Sequence, residues 1–214
     1  MRKILAYIIL ALSLIIIYGS LAISLSFKSE YEITPSILLF SLLFNVVIMV
    51  IPAILFVYLM YGKVWEMLYF RKTNLLKSVL YGCLATALFI FASAAVITLS
   101  GYEENNPLAE EIGKNINLPL LLLVPLLSAF TEEIYFRGLL QMQMEKKNVP
   151  LAIIISALLF SLAHLEYGVA IQLIMPFAFG IVLGIVMHFS RNIMAPFTAH
   201  FLYNFISLAT FLYD

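Results

Sequence analysis

The sequence predicts an all-α fold, a polytopic transmembrane helix bundle of about seven spans. Three observations carry that prediction. The chain has 214 residues, 64% hydrophobic and 11% charged, with a mean hydropathy of +1.05. A soluble domain carries about 45–50% apolar and about 25% charged residues. The apolar residues also gather into stretches of about 20, the length that crosses about 30 Å of hydrocarbon. These stretches lack period-two alternation, which fits helices better than barrel strands. Third, Lys and Arg favour alternate connections, as spans of alternating direction require.

The spans are expected in the following order. The first is Ile4–Leu25, after Met1-Arg2-Lys3. That start resembles a signal peptide, with Gly19–Ala22 offering small residues for cleavage, but the apolar run exceeds a signal h-region. It is read as an uncleaved helix. Then come Ser36–Tyr61, Leu75–Ser100 and Leu118–Leu140. Pro150–Leu165 is short and is separated from Val169–Phe189 only by Glu166-Tyr167-Gly168, so six or eight spans fit the same pattern. Ile193–Tyr213 closes the series. With the N-terminus cytoplasmic, the inner segments hold Arg2, Lys3, Lys63, Arg71, Lys72, Lys77, Lys146, Lys147 and Arg191. The outer ones hold Lys28 and Lys114. The loop 101–117, with Glu103, Glu104, Glu110 and Glu111, then faces out as a solvated acidic loop.

Composition excludes several classes. Net charge is zero and no basic run could track a phosphate backbone, so nucleic acid is not an expected partner. The one cysteine, Cys83, can form neither an internal disulfide nor a cysteine-cluster metal site. Gly180-Ile181-Val182-Leu183-Gly184 is a GxxxG pattern, read as a close helix-packing site.

The informative residues are the polar ones inside spans, where an ionisable side chain costs at least about 2.5–3.5 kcal/mol. Glu132, Glu133 and Arg137 lie in the fourth span, His164 near the end of the fifth, and His200 and Asn204 in the seventh. Glu133 and Arg137 are four apart and can pair on one helix face. Glu132 points about 100° away and has no partner on its own helix, which suits a general base. Phe160 shares a face with His164, and His200 with Asn204. Two convergent donors such as His200 and Asn204 suit a developing oxyanion. His188, by contrast, reads as an interfacial side chain. A base, a charge partner, two imidazoles and an amide are what water activation and acyl transfer require.

Glu132-Glu133-x-x-x-Arg137, then Phe160-x-x-x-His164, then His200-x-x-x-Asn204, resembles the three-motif signature of the CPBP family. This is the family of CAAX prenyl endopeptidases and of bacteriocin-processing or Abi-type membrane proteases. Phe136-Arg137-Gly138 fits its first motif, and the similarity runs from Leu118 to the C-terminus. The resemblance implies intramembrane hydrolysis of a peptide or protein substrate, which could be lipidated, by an integral membrane enzyme in contact with lipid. It implies that Glu132 and His164 activate a water, that His200 and Asn204 stabilise the oxyanion, and that Glu133 and Arg137 support the site. Residues 118–214 then form the catalytic core, and 1–117 three further spans plus the acidic loop. No cofactor is expected. Zinc is the alternative, because His164, His200 and Glu132 or Glu133 could supply three ligands, although no HExxH is present. The competing function is a non-enzymatic binding protein or transporter that uses the buried Glu, Arg and His.

Straight helices leave one conflict. At 1.5 Å per residue, Glu132 and His200 fall about 9–10 Å below the cytoplasmic edge and His164 about 21 Å below it. Either the fourth helix extends through Gln141–Lys147, or bends at Gly138, Pro150 or Pro196 close the gap.

Overall fold

The computed structural model describes residues 1–26, 34–101, 112–113, 116–165 and 171–210. Lys28, Lys114, the four glutamates of the acidic loop and Glu166-Tyr167-Gly168 lie outside the described residues. The principal helices are α1 (Arg2–Ser26), α2 (Pro35–Tyr61), the short α3 (Val64–Met67), α4 (Leu75–Ser100) and α5 (Leu118–Met144). They are followed by α6 (Val149–Leu162), α7 (Ile171–Ser190) and α8 (Met194–Thr210).

Local sequence sets the helix starts. Thr34, Asn117 and Asn148 each sit in extended conformation before a helix with proline in its first turn. Their side-chain oxygens accept from the backbone N–H three residues on, at 3.3, 3.1 and 2.9 Å. The cap satisfies a donor that would otherwise be orphaned, and proline removes another. Gly62, at φ +75°, ends α2 in the left-handed conformation that glycine adopts without steric cost.

Among the described residues, five helices are long and apolar enough to cross a membrane: α1, α2, α4, α5 and α7 from Leu173 onward. The protein is an integral membrane protein. The fifth expected span is a shorter helix, α6, of 14 residues, and the seventh, α8, has 17. The fourth span runs past its expected end at Leu140 to Met144, which corrects the sequence-based boundary.

That extension resolves the depth conflict. Past Glu132, α5 continues for twelve more residues to Met144, about the reach of α6 from Val149 to His164. α8 starts deeper than α6 does. A Cβ built on Gly138, well inside α5, would lie 3.5 Å from the Ile193 side chain and from Leu68. The Ile193 N–H donates to the Tyr69 carbonyl at 3.0 Å. The α7–α8 link therefore dips to the level of Gly138, so a short count from Met194 to His200 and a long one from Val149 to His164 arrive at the same place.

Among the described residues, two helices contain π-helical stretches, Val46–Val50 in α2 and Glu133–Gln141 in α5. Such stretches shift register relative to an α-helix and recur at functional sites. Every residue of the second one is buried. Ser13 of α1 joins the two: its hydroxyl donates to the Ile48 carbonyl at 2.6 Å and pairs with the Tyr135 hydroxyl at 2.8 Å. Around this link Ala6, Ile17, Met49, Ala53, Phe56, Leu68, Tyr135 and Phe136 form the largest apolar core.

Small residues bring the other helices together. A Cβ on Gly82 of α4 would lie 2.6 Å from the Ala195 carbonyl of α8, and the Thr86 hydroxyl reaches the Ala199 carbonyl at 3.0 Å. Gly180 of α7 rests on Ala157 of α6, and Gly184 on Ile153. The GxxxG pattern packs α6 against α7 as expected.

Candidate active site

Three helices deliver the site. α5 brings Glu132 and Glu133 at the junction of its α-helical and π-helical parts. α6 ends beside His164, and α8 carries His200 nearly two turns in from its start. The carboxylate oxygen Glu132 Oε2 lies 3.6 Å from His164 Nε2 and 4.0 Å from His200 Nε2. Both imidazoles thus turn the same nitrogen toward one carboxylate oxygen. Each ring is oriented through its other nitrogen. His164 Nδ1 donates to the Phe160 carbonyl at 2.8 Å, and His200 Nδ1 donates to Glu133 Oε1 at 2.7 Å. The proton positions follow from the acceptors available. With Nδ1 protonated and the ring neutral, His164 Nε2 presents a lone pair to the Glu132 side, while the Glu133 carboxylate behind His200 lets that ring carry a proton on Nε2 as well.

The two imidazoles differ in what stands behind them. His164 leans on a neutral backbone carbonyl. His200 leans on a carboxylate that is itself paired, because Arg137 donates to Glu133 Oε1 at 3.3 Å, with both side chains fully buried. Arg137 also donates to the Gly180 carbonyl at 3.3 Å, and its guanidinium lies 4.3 Å over the Phe160 ring. Phe160 in turn contacts His164 at 4.5 Å and His200 at 5.5 Å between ring centres. One aromatic ring separates the arginine from both imidazoles and fixes all three. A charge pair at zero exposure survives only with such partners.

Exposure divides the residues in the same way. The Glu133 and Arg137 side chains are at 0% and His200 at 2%, whereas Glu132 is at 13% and His164 at 35%. Glu132 and His164 are thus the more exposed members, with the Glu132 Oε2 atom itself buried. On the other side of Glu133 lies an apolar cavity of about 250 Å³, walled by Phe70, Phe130, Ile193 and Phe197 among others.

Of the sequence-derived candidates, Glu132, Glu133, Arg137, His164 and His200 come together. Asn204 lies one turn beyond His200 and donates to the Ser128 hydroxyl at 3.3 Å. Ser128 is itself one turn before Glu132, so Asn204 borders the cluster instead of entering it. His188 is not the plain interfacial side chain expected from sequence. It lies 3.0 Å from Glu145 and 3.3 Å from Arg191 in a second polar cluster with Gln141. Sequence reading passed over Gln141 and Glu145. Their four-residue steps from Arg137 were the available signal.

A metal, if held, would be held by Glu132, His164 and His200, because Glu133 Oε1 is already taken by Arg137 and His200. A tetrahedral zinc with ligands at about 2.0–2.1 Å asks for donors about 3.3 Å apart. The His200 contact, at 4.0 Å, is wider than that. Among the described residues no group of three or more His, Cys, Asp or Glu has metal-holding geometry.

The family model described as type II CAAX prenyl endopeptidase, Rce1-like, matches residues 114–206. That stretch spans α5 to α8 and all six candidate residues. Over that stretch the chain is similar to this CAAX protease family. No curated protein and no solved structure matches the chain. A CAAX-type protease is a hydrolase of peptide bonds, and its substrate is a peptide or protein. The match favours the protease reading of the buried charges over the transporter and binding-protein one.

Proposed function

We propose that this CAAX-type protease cuts a membrane-associated or lipidated peptide, using Glu132 and His164 to activate water and His200 and Asn204 to stabilise the oxyanion. The observation that carries the reading is the convergence of both Nε2 atoms on Glu132 Oε2, each imidazole being held from behind through Nδ1. A 3.6 Å gap between two acceptors is too wide for a direct hydrogen bond and suits a water that donates to both. Glu132, assisted by His164, takes one water proton as the oxygen attacks the scissile carbonyl carbon. The oxyanion is stabilised by donors from the α8 side. A proton held on His200 Nε2 is compensated by Glu133 behind it, so His200 is fitted to donate there. The amide of Asn204 has a second Nδ2 hydrogen beyond the one given to Ser128. Collapse of the intermediate breaks the C–N bond, and the proton on Glu132 passes to the leaving nitrogen. Every step uses groups of this chain. The apolar cavity beside Glu133 favours an apolar substrate segment.

The test is cleavage of a fluorogenic peptide panel, prenylated and bare, by purified protein in detergent. Glu132→Ala and His164→Ala should abolish turnover while the protein remains folded. Full activity in either would sink the assignment. Turnover lost to a chelator and restored by zinc would replace the metal-free reading. Cleavage of prenylated peptides alone would fix the lipidated substrate class.

A further inference from the structure

The GxxxG pattern of α7 does more than permit close packing. Three polar rungs join α5 to α7 in register. Arg137 donates to the Gly180 carbonyl at 3.3 Å, Gln141 Nε2 donates to the Gly184 carbonyl at 2.8 Å, and His188 Nδ1 lies 3.0 Å from Glu145 Oε2. Positions on both helices advance by four, and the offset stays at 43 residues in every rung. A glycine, with no Cβ, lets a neighbouring helix and its side chains come close to the backbone carbonyl. Gly184 meets that condition tightly, since an added Cβ would lie 3.0 Å from Gln141 Oε1 and 2.9 Å from Ile153 Cγ2.

Gln141 is the middle rung. It is fully buried, and its Nε2 gives one hydrogen to Gly184 and the other to Glu145 Oε1 at 2.8 Å. Both partners are acceptors, so the amide has one admissible orientation. Gln141 closes the π-helical stretch, and Glu133, at its other end, holds His200 through Oε1. Arg137 sits between them and touches both Glu133 and the first rung. The rotation of the π-helical stretch against α7 therefore decides where Glu133, and through it His200, is presented.

We propose that Gln141, docked on the Gly184 carbonyl, is a positioning residue for the catalytic centre, and that the two glycines form the rail on which it and Arg137 are set. Gln141 touches no reacting atom; it acts through Arg137, Glu133 and His200. The kinetic part of this inference rests on the endopeptidase reading, and the spectroscopic part does not.

Gln141→Leu keeps the volume and removes the amide. The chain has three histidines, so histidine-selective 15N labelling gives a countable imidazole spectrum. Gln141→Leu is expected to move the His200 nitrogens together with those of His188, in protein whose thermal transition is retained. In the cleavage assay, kcat should fall about 10–100-fold, the scale of a 1 Å misplacement, with KM within about twofold. Gly184→Ala should lower kcat in the wild type and add little in the Gln141→Leu background, because both break the same rung. Movement of His188 alone overturns the proposal. So does an unchanged kcat in an active enzyme, or full additivity of the two substitutions. Should the wild type cleave nothing, the endopeptidase reading fails by itself and the His200 resonances still decide the role of Gln141.

Discussion

The helices before and after residue 101 solve opposite problems. In α1 only 11% of the most apolar stretch is buried, while in α5 half of it is. The first region turns Ile, Leu and Phe side chains outward, among them Ile4, Leu12, Ile15, Phe40, Leu88 and Phe91. Among its described residues, the polar groups it buries are the hydroxyls Ser13, Ser78 and Thr86. The second region buries Glu133, Arg137, Gln141, Glu145, Asn192 and His200. Burying a hydroxyl in a helix is inexpensive, because the preceding turn supplies a carbonyl, as Asn74 does for Ser78 and Gly82 for Thr86. Burying a carboxylate or guanidinium demands partners from other helices. That expense is the mark of a site.

The regions are also joined. Ser13 bridges the two π-helical stretches, and the Tyr18 hydroxyl donates to the Leu159 carbonyl of α6 at 2.8 Å. We propose that the first region braces the back of the catalytic helices and shields the site from lipid, while the chemistry belongs to the second.

Substitutions can break that contrast, in descending order of effect. His164→Ala should lower kcat by about 10²–10⁴-fold, the usual contribution of a general acid–base group, with an unchanged melting profile. A folded, fully active variant would remove His164 from the chemistry. Arg137→Met leaves Glu133 as an uncompensated buried charge and should cost about 3–5 kcal/mol of stability, read as lost thermal stability in detergent. A small effect would show that Glu133 does not depend on its ion pair. Gly82→Ala pushes a Cβ into the Ala195 carbonyl at the α4–α8 seam. It should cost about 1–3 kcal/mol by overpacking and lower kcat as well, because α8 carries His200. Ser13→Ala should be the mildest, at about 0.6 kcal/mol, the average for a hydrogen bond between membrane helices, with kcat retained. Loss of turnover in that variant would carry part of the chemistry into the first region.

Much of this was legible in the sequence, for a physical reason. Polar residues inside apolar spans are expensive, so Glu132, Glu133, Arg137, His164, His200 and Asn204 stood out, and the four-residue spacing of Glu133 and Arg137 gave their pairing. The π-helical stretch was not legible, because periodicity assumes 3.6 residues per turn. The fourth span is expected to end at Leu140 because the apolar run stops there, at Gln141. Gln141 and Glu145 fall past that boundary and so lie outside the set of polar residues within spans. The hydrogen bond of Asn204 to Ser128 depends on how α8 leans on α5, which spacing along one helix does not reveal. The depth of the α7–α8 link depends on its contact with the Leu68–Tyr69 turn, a tertiary fact with no local signature.

The central claim is that Glu132, between two imidazoles, activates the water. Glu132→Gln tests it most directly, since it keeps the shape of the side chain and removes its basicity. Binding of a cleavable peptide and its turnover should be measured on the same purified variant. Peptide affinity should be unchanged, with turnover at least about 10³-fold slower, within the range for loss of a general base. Near-wild-type turnover with intact binding would contradict the claim and move the search for the base to another residue.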